Sequence, residues 1–269
     1  MSYPTVSAPY GFRPVNLIGG QVFSGSTREY PIDYNYGTAI YYGDFVQLTS
    51  GYITILANTI AGNAAVGVFL GCSYTDPSTK QKRFSQYYPG NVTSGDIKAI
   101  VCDDPDTVFK CAVVTAAGTT TIASASQSLV GVNMAGNTST GSSATGNSAG
   151  GVVAATATAG NFRVLGLVPD TQVTTGCTYS SGTGSTSIVV SGLTIGQVIP
   201  VGTDMFQLVA ATGQLDWIGV VGTAATVSST TAQTLTMAAS TTASGSLVLV
   251  QSPEVLVKIT FGAHRYYVA

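Results

Sequence analysis

The stretch of sequence from Cys111 to Val257 carries almost no charge. The charged residues that interrupt it are Arg163, Asp170, Asp204, Asp216 and Glu254. Most of the others are Ala, Thr, Ser, Gly and Val. Thr and Val are β-branched and fit a pleated sheet, while Gly marks turns. Because the chain has few stretches of the Leu, Glu, Lys and Gln that favour surface helices, its composition predicts an all-β fold.

The low charge also bears on the class of protein. Charged residues make up 8% of the chain, against about 25% in a typical soluble domain. A surface with so few charges repels other copies only weakly, which favours a component of an assembly over a free monomer. The net charge is −2, and Lys80, Lys82 and Arg83 form the only basic cluster in the sequence. We therefore expect no direct nucleic-acid partner, since phosphate contacts need a basic footprint.

The cysteines and the termini exclude several other classes. The cysteines at 72, 102, 111 and 177 lack CxxC spacing, and His264 is the single histidine, which argues against a Cys/His zinc site. We expect free, buried thiols, with two disulfides as the alternative. The N-terminal sequence does not resemble a signal peptide. No run of about 18 apolar residues predicts a membrane span.

Residues 1–33 are rich in Pro, Gly and aromatic residues, among them Tyr10, Phe12 and Pro14. Pro and Gly disfavour regular structure, whereas aromatic rings need burial. An extended N-terminal arm satisfies both demands. Such an arm packs either on a neighbouring molecule or on its own domain, and the sequence favours the two alternatives equally.

Residues 34–170 predict a β core with a jelly-roll or barrel-like arrangement. A hairpin is expected around Ser50 and Gly51, and the apolar run 65–70 predicts a strand that is covered on both faces. Residues 117–160 have low complexity and predict a long polar loop, in which 122–130 is the candidate for a short helix. The strands expected in this region are 44–49, 52–56, 65–70, 98–102, 108–114 and 161–168.

Residues 171–250 predict a small β-sandwich or barrel domain that is inserted in a loop of the core. Turn signals separate its apolar segments at the spacing of about 8–12 residues that such domains show. Trp217 is expected to anchor the core of this domain. The expected strands are 187–190, 197–199, 205–209, 215–221, 234–237 and 247–250.

The final segment, 251–269, is expected to return to the β core as its closing strand. Val255, Val257, Ile259 and Phe261 alternate with residues that point the other way. This alternation is the clearest strand pattern in the sequence.

Several motifs follow one another in order: APYGFRPVNLIGG (8–20), SGSTR (24–28), GDFVQL (43–48), VFLGCSYTD (68–76), FSQYYP (84–89), AIVCDDPD (99–106), NFRVLGLV (161–168) and VLVKI (255–259). Their order resembles that in structural proteins of tailed bacteriophages, especially marine and cyanobacterial ones. The resemblance covers about residues 8–110, 161–169 and 254–264. It does not extend to 171–250, whose Thr- and Gly-rich pattern is similar to accessory β-domains on phage surfaces.

Proteins of the family that the chain resembles are capsid decoration, or cement, proteins. They bind the outer face of an icosahedral head and clamp major capsid subunits, often as trimers. The resemblance implies a non-enzymatic virion protein without a cofactor, made in the host bacterial cytoplasm. Its expected partners are the major capsid protein and further copies of itself. The candidate capsid-interface residues are Tyr10, Phe12, Arg13, Pro14 and Arg28.

The rival hypothesis is a head fibre or host-attachment module in which residues 171–250 bind a cell-surface glycan. Exposed aromatic residues in that block would favour it. The expected burial of Trp217 among apolar neighbours speaks against it.

Two local motifs raise the question of chemistry. Residues 146–150 match GxSxG, but a nucleophile elbow needs a strand before the serine and a helix after it. The motif lies instead in low-complexity sequence, and His264 has no evident acid to orient it. Asp103, Asp104 and Asp106 either bind Ca²⁺ or form a solvated turn around Pro105, and the turn is the expectation. We therefore expect no enzymatic activity and no metal.

Overall fold

The structure is a computed structural model that describes residues 6–56, 65–156, 160–180, 185–209, 212–241, 245–260 and 264. The described chain is nearly all β, as the composition predicts. Two short 3₁₀ turns lie at Gln127–Leu129 and Pro169–Thr171. The first ten strands are β1 (Arg13–Leu17), β2 (Arg28–Pro31), β3 (Phe45–Thr49), β4 (Tyr52–Ile55), β5 (Ala65–Thr75), β6 (Lys82–Ser85), β7 (Lys98–Cys102), β8 (Thr107–Val114), β9 (Asn133–Asn137) and β10 (Gly151–Thr156). The next ten are β11 (Phe162–Leu167), β12 (Val173–Ser180), β13 (Ser185–Ser191), β14 (Val198–Ile199), β15 (Asp204–Val209), β16 (Gln214–Val220), β17 (Ala225–Thr226), β18 (Gln233–Thr241), β19 (Gly245–Gln251) and β20 (Glu254–Ile259).

The chain divides into two compact units. The core unit comprises Ala8–Thr121, Gly131–Leu165 and the chain from Leu256 onward, and the inserted unit comprises Ile122–Val130 and Gly166–Val255, together with the chain up to Ser7. The inserted unit therefore extends beyond both ends of the insert expected from turn spacing. It also includes a short segment that the sequence places in the polar loop.

The core unit contains two sheets. In the first sheet, β8, β10, β9, β11 and β20 pair in that order and β20 pairs back to β8, which closes a five-stranded barrel. β1 pairs with β8 in an antiparallel register. The second sheet has the order β2-β7-β5-β3-β4, with β6 also paired to β5. The barrel-like alternative for the core is therefore confirmed.

The second sheet of the core unit is built around β5. As the apolar run predicts, this strand is buried along almost its whole length. The predicted hairpin is also confirmed, because β3 and β4 pair in an antiparallel register. Val46 lies opposite Ile55 at one end of the pairing, and Thr49 lies opposite Tyr52 at the other. At its tip Ser50 has a φ of 51° and Gly51 a φ of 87°. Positive φ at both positions gives a type I′ turn. The backbone twist of this turn matches the right-handed twist of the two strands that it joins.

The inserted unit has one six-stranded sheet, in the order β16-β15-β19-β12-β13-β18, and a short β14-β17 pair. A bridge between Val221 and Met237 joins the end of β16 to β18, so the two outer strands of the sheet meet at one point. Side chains alternate along β19, where Leu247 and Leu249 are buried and Val248 and Val250 lie on the opposite face. The buried face holds an apolar core of its own.

All the strands expected between residues 44 and 250 are present, as is the closing strand. Val255, Val257 and Ile259 are buried and alternate with partly exposed residues, which confirms the pattern; Phe261 lies outside the described residues. All four cysteines are free and buried, as expected. Within the described ranges, no helix has the length and apolarity needed to cross a bilayer.

Two expectations are wrong. The predicted polar loop 117–160 contains β9 and β10, which are two of the five strands of the barrel. The candidate for a short helix, 122–130, does contain one turn of 3₁₀ helix, Gln127–Leu129. Trp217 is not a core anchor, because half of its side chain is exposed, at 50%. It lies on the outer face of its sheet, opposite Phe206 of β15.

Candidate functional site

The structure places the N-terminal arm from Ala8 onward on the core unit rather than away from it. Phe12 is 2% exposed. Its ring stacks on that of Phe162, with 4.3 Å between centroids, and lies 6.0 Å from that of Phe45. Phe12 is therefore part of the core, and it is not available to a capsid subunit in this conformation. The residues from Ala8 to Asp33 favour the second of the two arm alternatives.

Arg13 ties the same segment down. Its Nη2 donates to the Tyr10 carbonyl at 3.1 Å and to Asn147 Oδ1 at 2.8 Å. Its guanidinium lies 4.0 Å from the centre of the Tyr42 ring, a cation–π distance. Desolvation by burial lowers the pKa of this guanidinium. Tyr10 and Pro14 are partly buried beside it, so this part of the segment acts as an internal fastening.

Arg28 is the most exposed of the predicted interface residues. Its Nε forms an ion pair of 3.3 Å with Asp103 Oδ2, the oxygen to which the Tyr30 hydroxyl also donates, at 2.7 Å. Asp103 is thus turned inward and paired, which differs from both the calcium site and the solvated turn. Asp104 Oδ1 accepts from the Asp106 amide within the same turn. Among the described residues there is no group of three or more potential metal ligands.

The exposed apolar surface of this segment begins just after the predicted residues. Val15, Ile18 and Val22 are 45%, 44% and 80% exposed. They belong to a short hairpin, residues 13–22, which we call the β1 hairpin. Its Leu17 amide donates to the Gln21 carbonyl at 2.8 Å. The β1 hairpin presents apolar side chains to solvent from the edge strand of its sheet.

The interface residues predicted from the sequence do not include these aliphatic side chains. A usable signal was present. The run Val15-Asn-Leu-Ile18 is followed by Gly19 and Gly20, a tight turn in a segment too short to bury all of its apolar residues.

The GxSxG serine is held in a structural turn. Ser148 is buried, its Oγ accepts from the Gly150 amide at 2.9 Å, and its hydroxyl bonds to the Asp44 carboxyl. The chain then runs into β10 rather than into a helix, so the local structure is not that of a nucleophile elbow. His264 forms a bridge with Ala65, and burial lowers its pKa.

Asp44 borders a cavity of about 240 Å³ in the core unit, which Tyr41, Leu56 and residues 138–141 also line. The carboxyl is buried, and its Oδ2 accepts from the Tyr41 amide at 2.7 Å. Desolvation by burial raises its pKa to about 6, although the bonds from Ser148 and Tyr41 oppose that shift. The carboxyl joins the turn before β3 to the loop before β10.

In the inserted unit, the exposed ring of Trp217 is held from below. Its indole Nε1 donates to Asp204 Oδ1 at 2.8 Å, and Asp204 Oδ2 accepts from the Gln127 amide at 3.0 Å. Asp204 is 2% exposed, and burial raises its pKa. Trp217, Phe206, Gln127 and Ser128 line a hollow of about 280 Å³.

No protein-family model, curated protein or solved structure matches this chain.

Proposed function

We propose that this chain is a non-enzymatic structural protein of a tailed-bacteriophage virion, which binds the outer surface of the head and stabilises it by clamping major capsid subunits. The order of sequence motifs in the core unit supports this role. The observation that carries the proposal is the exposed apolar surface of the β1 hairpin, formed by Val15, Ile18 and Val22.

Such a surface has a physical cost that binding removes. Apolar side chains that stay in water forgo roughly 25 cal/mol for each Å² that burial would remove from solvent. An edge strand also leaves backbone donors and acceptors unpaired, which is a template for pairing with a strand of another chain. β1 is the edge strand of its sheet, and its return segment pairs with it at Asn16 and Leu17. The β1 hairpin therefore offers an apolar surface at a sheet edge, which a capsid subunit can cover.

The low charge of the chain fits the same role. A clamp repeated across a shell brings many copies close together, and weak repulsion between copies permits that density. Each attachment can be weak, because a trimer that engages several capsid subunits gains avidity from its linked sites. We propose a trimer for this reason and from the resemblance.

The test is binding of the purified chain to heads assembled without it. The double variant I18D/V22D places two charges in the apolar surface of the β1 hairpin. It should lower capsid occupancy by about tenfold or more, measured by co-sedimentation. I195D changes a residue of the inserted unit that is 63% exposed, and it should leave occupancy unchanged. Deletion of residues 1–20 is a poorer test, because it also removes Phe12 from the core.

The outcomes separate the parts of the proposal. Failure of the wild-type chain to bind heads contradicts the capsid role. Full binding by I18D/V22D contradicts the role of the β1 hairpin. A sedimentation-equilibrium mass of one chain at working concentration contradicts the trimer.

A further inference from the structure

The core of the inserted unit is complete without the only tryptophan of the chain. The buried cluster includes Ile188, Met205, Leu235 and Leu249, and Trp217 is not part of it. A half-exposed indole on the outer face of a sheet forgoes much of the stabilisation that its burial would bring. Packing of the apolar core therefore does not account for the position of Trp217, which contacts the buried interior through its hydrogen bond to Asp204.

The ring is nevertheless held in one orientation. Its Nε1–H donates to the carboxylate of Asp204, which is almost wholly buried. That carboxylate also accepts a hydrogen bond from the backbone amide of Gln127. Because the polar edge of the indole is already satisfied from below, what remains open to solvent is the carbon face of the ring. A preorganised aromatic face lowers the entropic cost of binding a ligand.

The surroundings of Trp217 form a small hollow rather than a broad plane. Phe206 lies opposite it on β15, and Leu208 lies opposite Leu215 on the same two strands. Gln127 and Ser128 supply the polar side of the hollow, which has a volume of about 280 Å³. This is near the lower limit of small-ligand pockets. A stable interface between proteins needs roughly 800 Å² from each partner.

The charges of the inserted unit restrict the classes of ligand that this hollow can bind. The charged residues of the inserted unit are all acidic: Asp170, Asp204, Asp216 and Glu254. Without Lys or Arg in residues 122–130 and 166–255, the unit offers nothing to attract a phosphate, a sulfate or a nucleic acid. The side chains that line the hollow are aromatic or neutral amide and hydroxyl groups, which suit a neutral ligand with one apolar face and several hydroxyls.

We propose that this hollow binds a neutral hexopyranose, whose apolar C–H face stacks on Trp217 while its hydroxyls bond to Gln127 and Ser128. A sugar ring presents the required pair of surfaces, one apolar and one hydroxylated. The site gives the inserted unit a recognition role separate from capsid attachment. The expected burial of Trp217 spoke against the glycan-binding alternative. Because Trp217 is half exposed, that objection no longer holds.

The single tryptophan makes the test direct. Titration of the full chain with methyl glycosides of glucose, galactose, mannose and N-acetylglucosamine should change the Trp217 emission saturably for at least one sugar. Saturation-transfer difference NMR then follows the variants. W217A should weaken binding of that sugar by about tenfold or more, whereas Y34A, which removes an exposed ring of the core unit, should leave it unchanged.

A second variant guards against loss of fold. W217A also removes the donor to buried Asp204, whereas F206S keeps that hydrogen bond and should still weaken binding. Far-UV circular dichroism checks both variants. The proposal is overturned if no sugar of the panel gives a saturable response, or if W217A binds as the wild type does. It is also overturned if W217A and F206S instead dissociate an oligomer, since the face is then an interface between copies. None of these readouts uses capsids, so they are independent of the clamp.

Discussion

At the scale of single residues, Asp44 shows how burial couples the core unit to pH. Its pKa is about 6 in the folded chain, against an ordinary value of 3.8. The folded protein therefore holds this proton more tightly than the unfolded chain does. The stabilisation is complete below pH 3.8 and is lost as the pH rises through 6.

We expect Asp44 to raise the free energy of unfolding by up to about 3 kcal/mol between neutral pH and about pH 4. D44N should lose this part of the pH dependence, because the amide keeps an acceptor for the Tyr41 amide but does not titrate. Urea unfolding at a series of pH values measures the difference. D170N removes an exposed carboxyl and should retain the wild-type slope. Equal slopes for D44N and the wild type would contradict this account of Asp44.

At the scale of elements, β1 is anchored by the residue that precedes it. Phe12 packs against Phe45 and Phe162 in a cluster of three rings, and β1 then pairs with β8. The N-terminal segment thus contributes a ring to the core before it presents the exposed aliphatic residues of the β1 hairpin. The same stretch serves stability at one end and, in our proposal, binding at the other.

F12A should lower the free energy of unfolding by about 3–5 kcal/mol, because it leaves a cavity beside two aromatic rings. F84A removes a ring that is 77% exposed, and it should change stability by no more than about 0.5 kcal/mol. Denaturant unfolding monitored by far-UV circular dichroism compares the two. If F12A were as stable as F84A, the segment would not be a working part of the core.

β9 and β10 show why low-complexity sequence is hard to interpret. Few residues in them carry a strand pattern, yet Met134 and Val152 are fully buried in the core unit. Asn137 adds hydrogen bonds to the Gly118 amide and the Thr119 carbonyl. These segments become strands because neighbouring strands pair with them. Their secondary structure is therefore set by tertiary contacts and cannot be predicted from the local sequence.

At the scale of the whole molecule, the two units differ in charge. None of the ten Lys and Arg residues lies in residues 122–130 or 166–255, so all of them belong to the rest of the chain. The net charge of −2 therefore hides an acidic unit and a more basic one. Because the chain has so few charges, titration of a few groups changes its net charge by a large fraction. Electrostatic repulsion between copies therefore depends on pH.

Association between copies should be strongest near the isoelectric point of about 5.1, where net charge no longer opposes contact between apolar surfaces. Dynamic light scattering at low salt between about pH 4 and pH 8 should show the largest mean particle size there. I18D/V22D adds two negative charges and should shift that maximum to lower pH. A particle size that does not vary with pH would contradict a role for net charge.

The sequence alone determined the all-β class, the positions of most strands, the hairpin at Ser50 and Gly51, and the alternation that buries Val255, Val257 and Ile259. These features follow from side-chain periodicity and turn chemistry, which are local. Only the tertiary structure decided that Phe12 belongs to the core, that β9 and β10 complete a barrel, and that Trp217 faces solvent. An aromatic or a small polar residue suits either side of a sheet, and only its long-range neighbours settle which side it occupies.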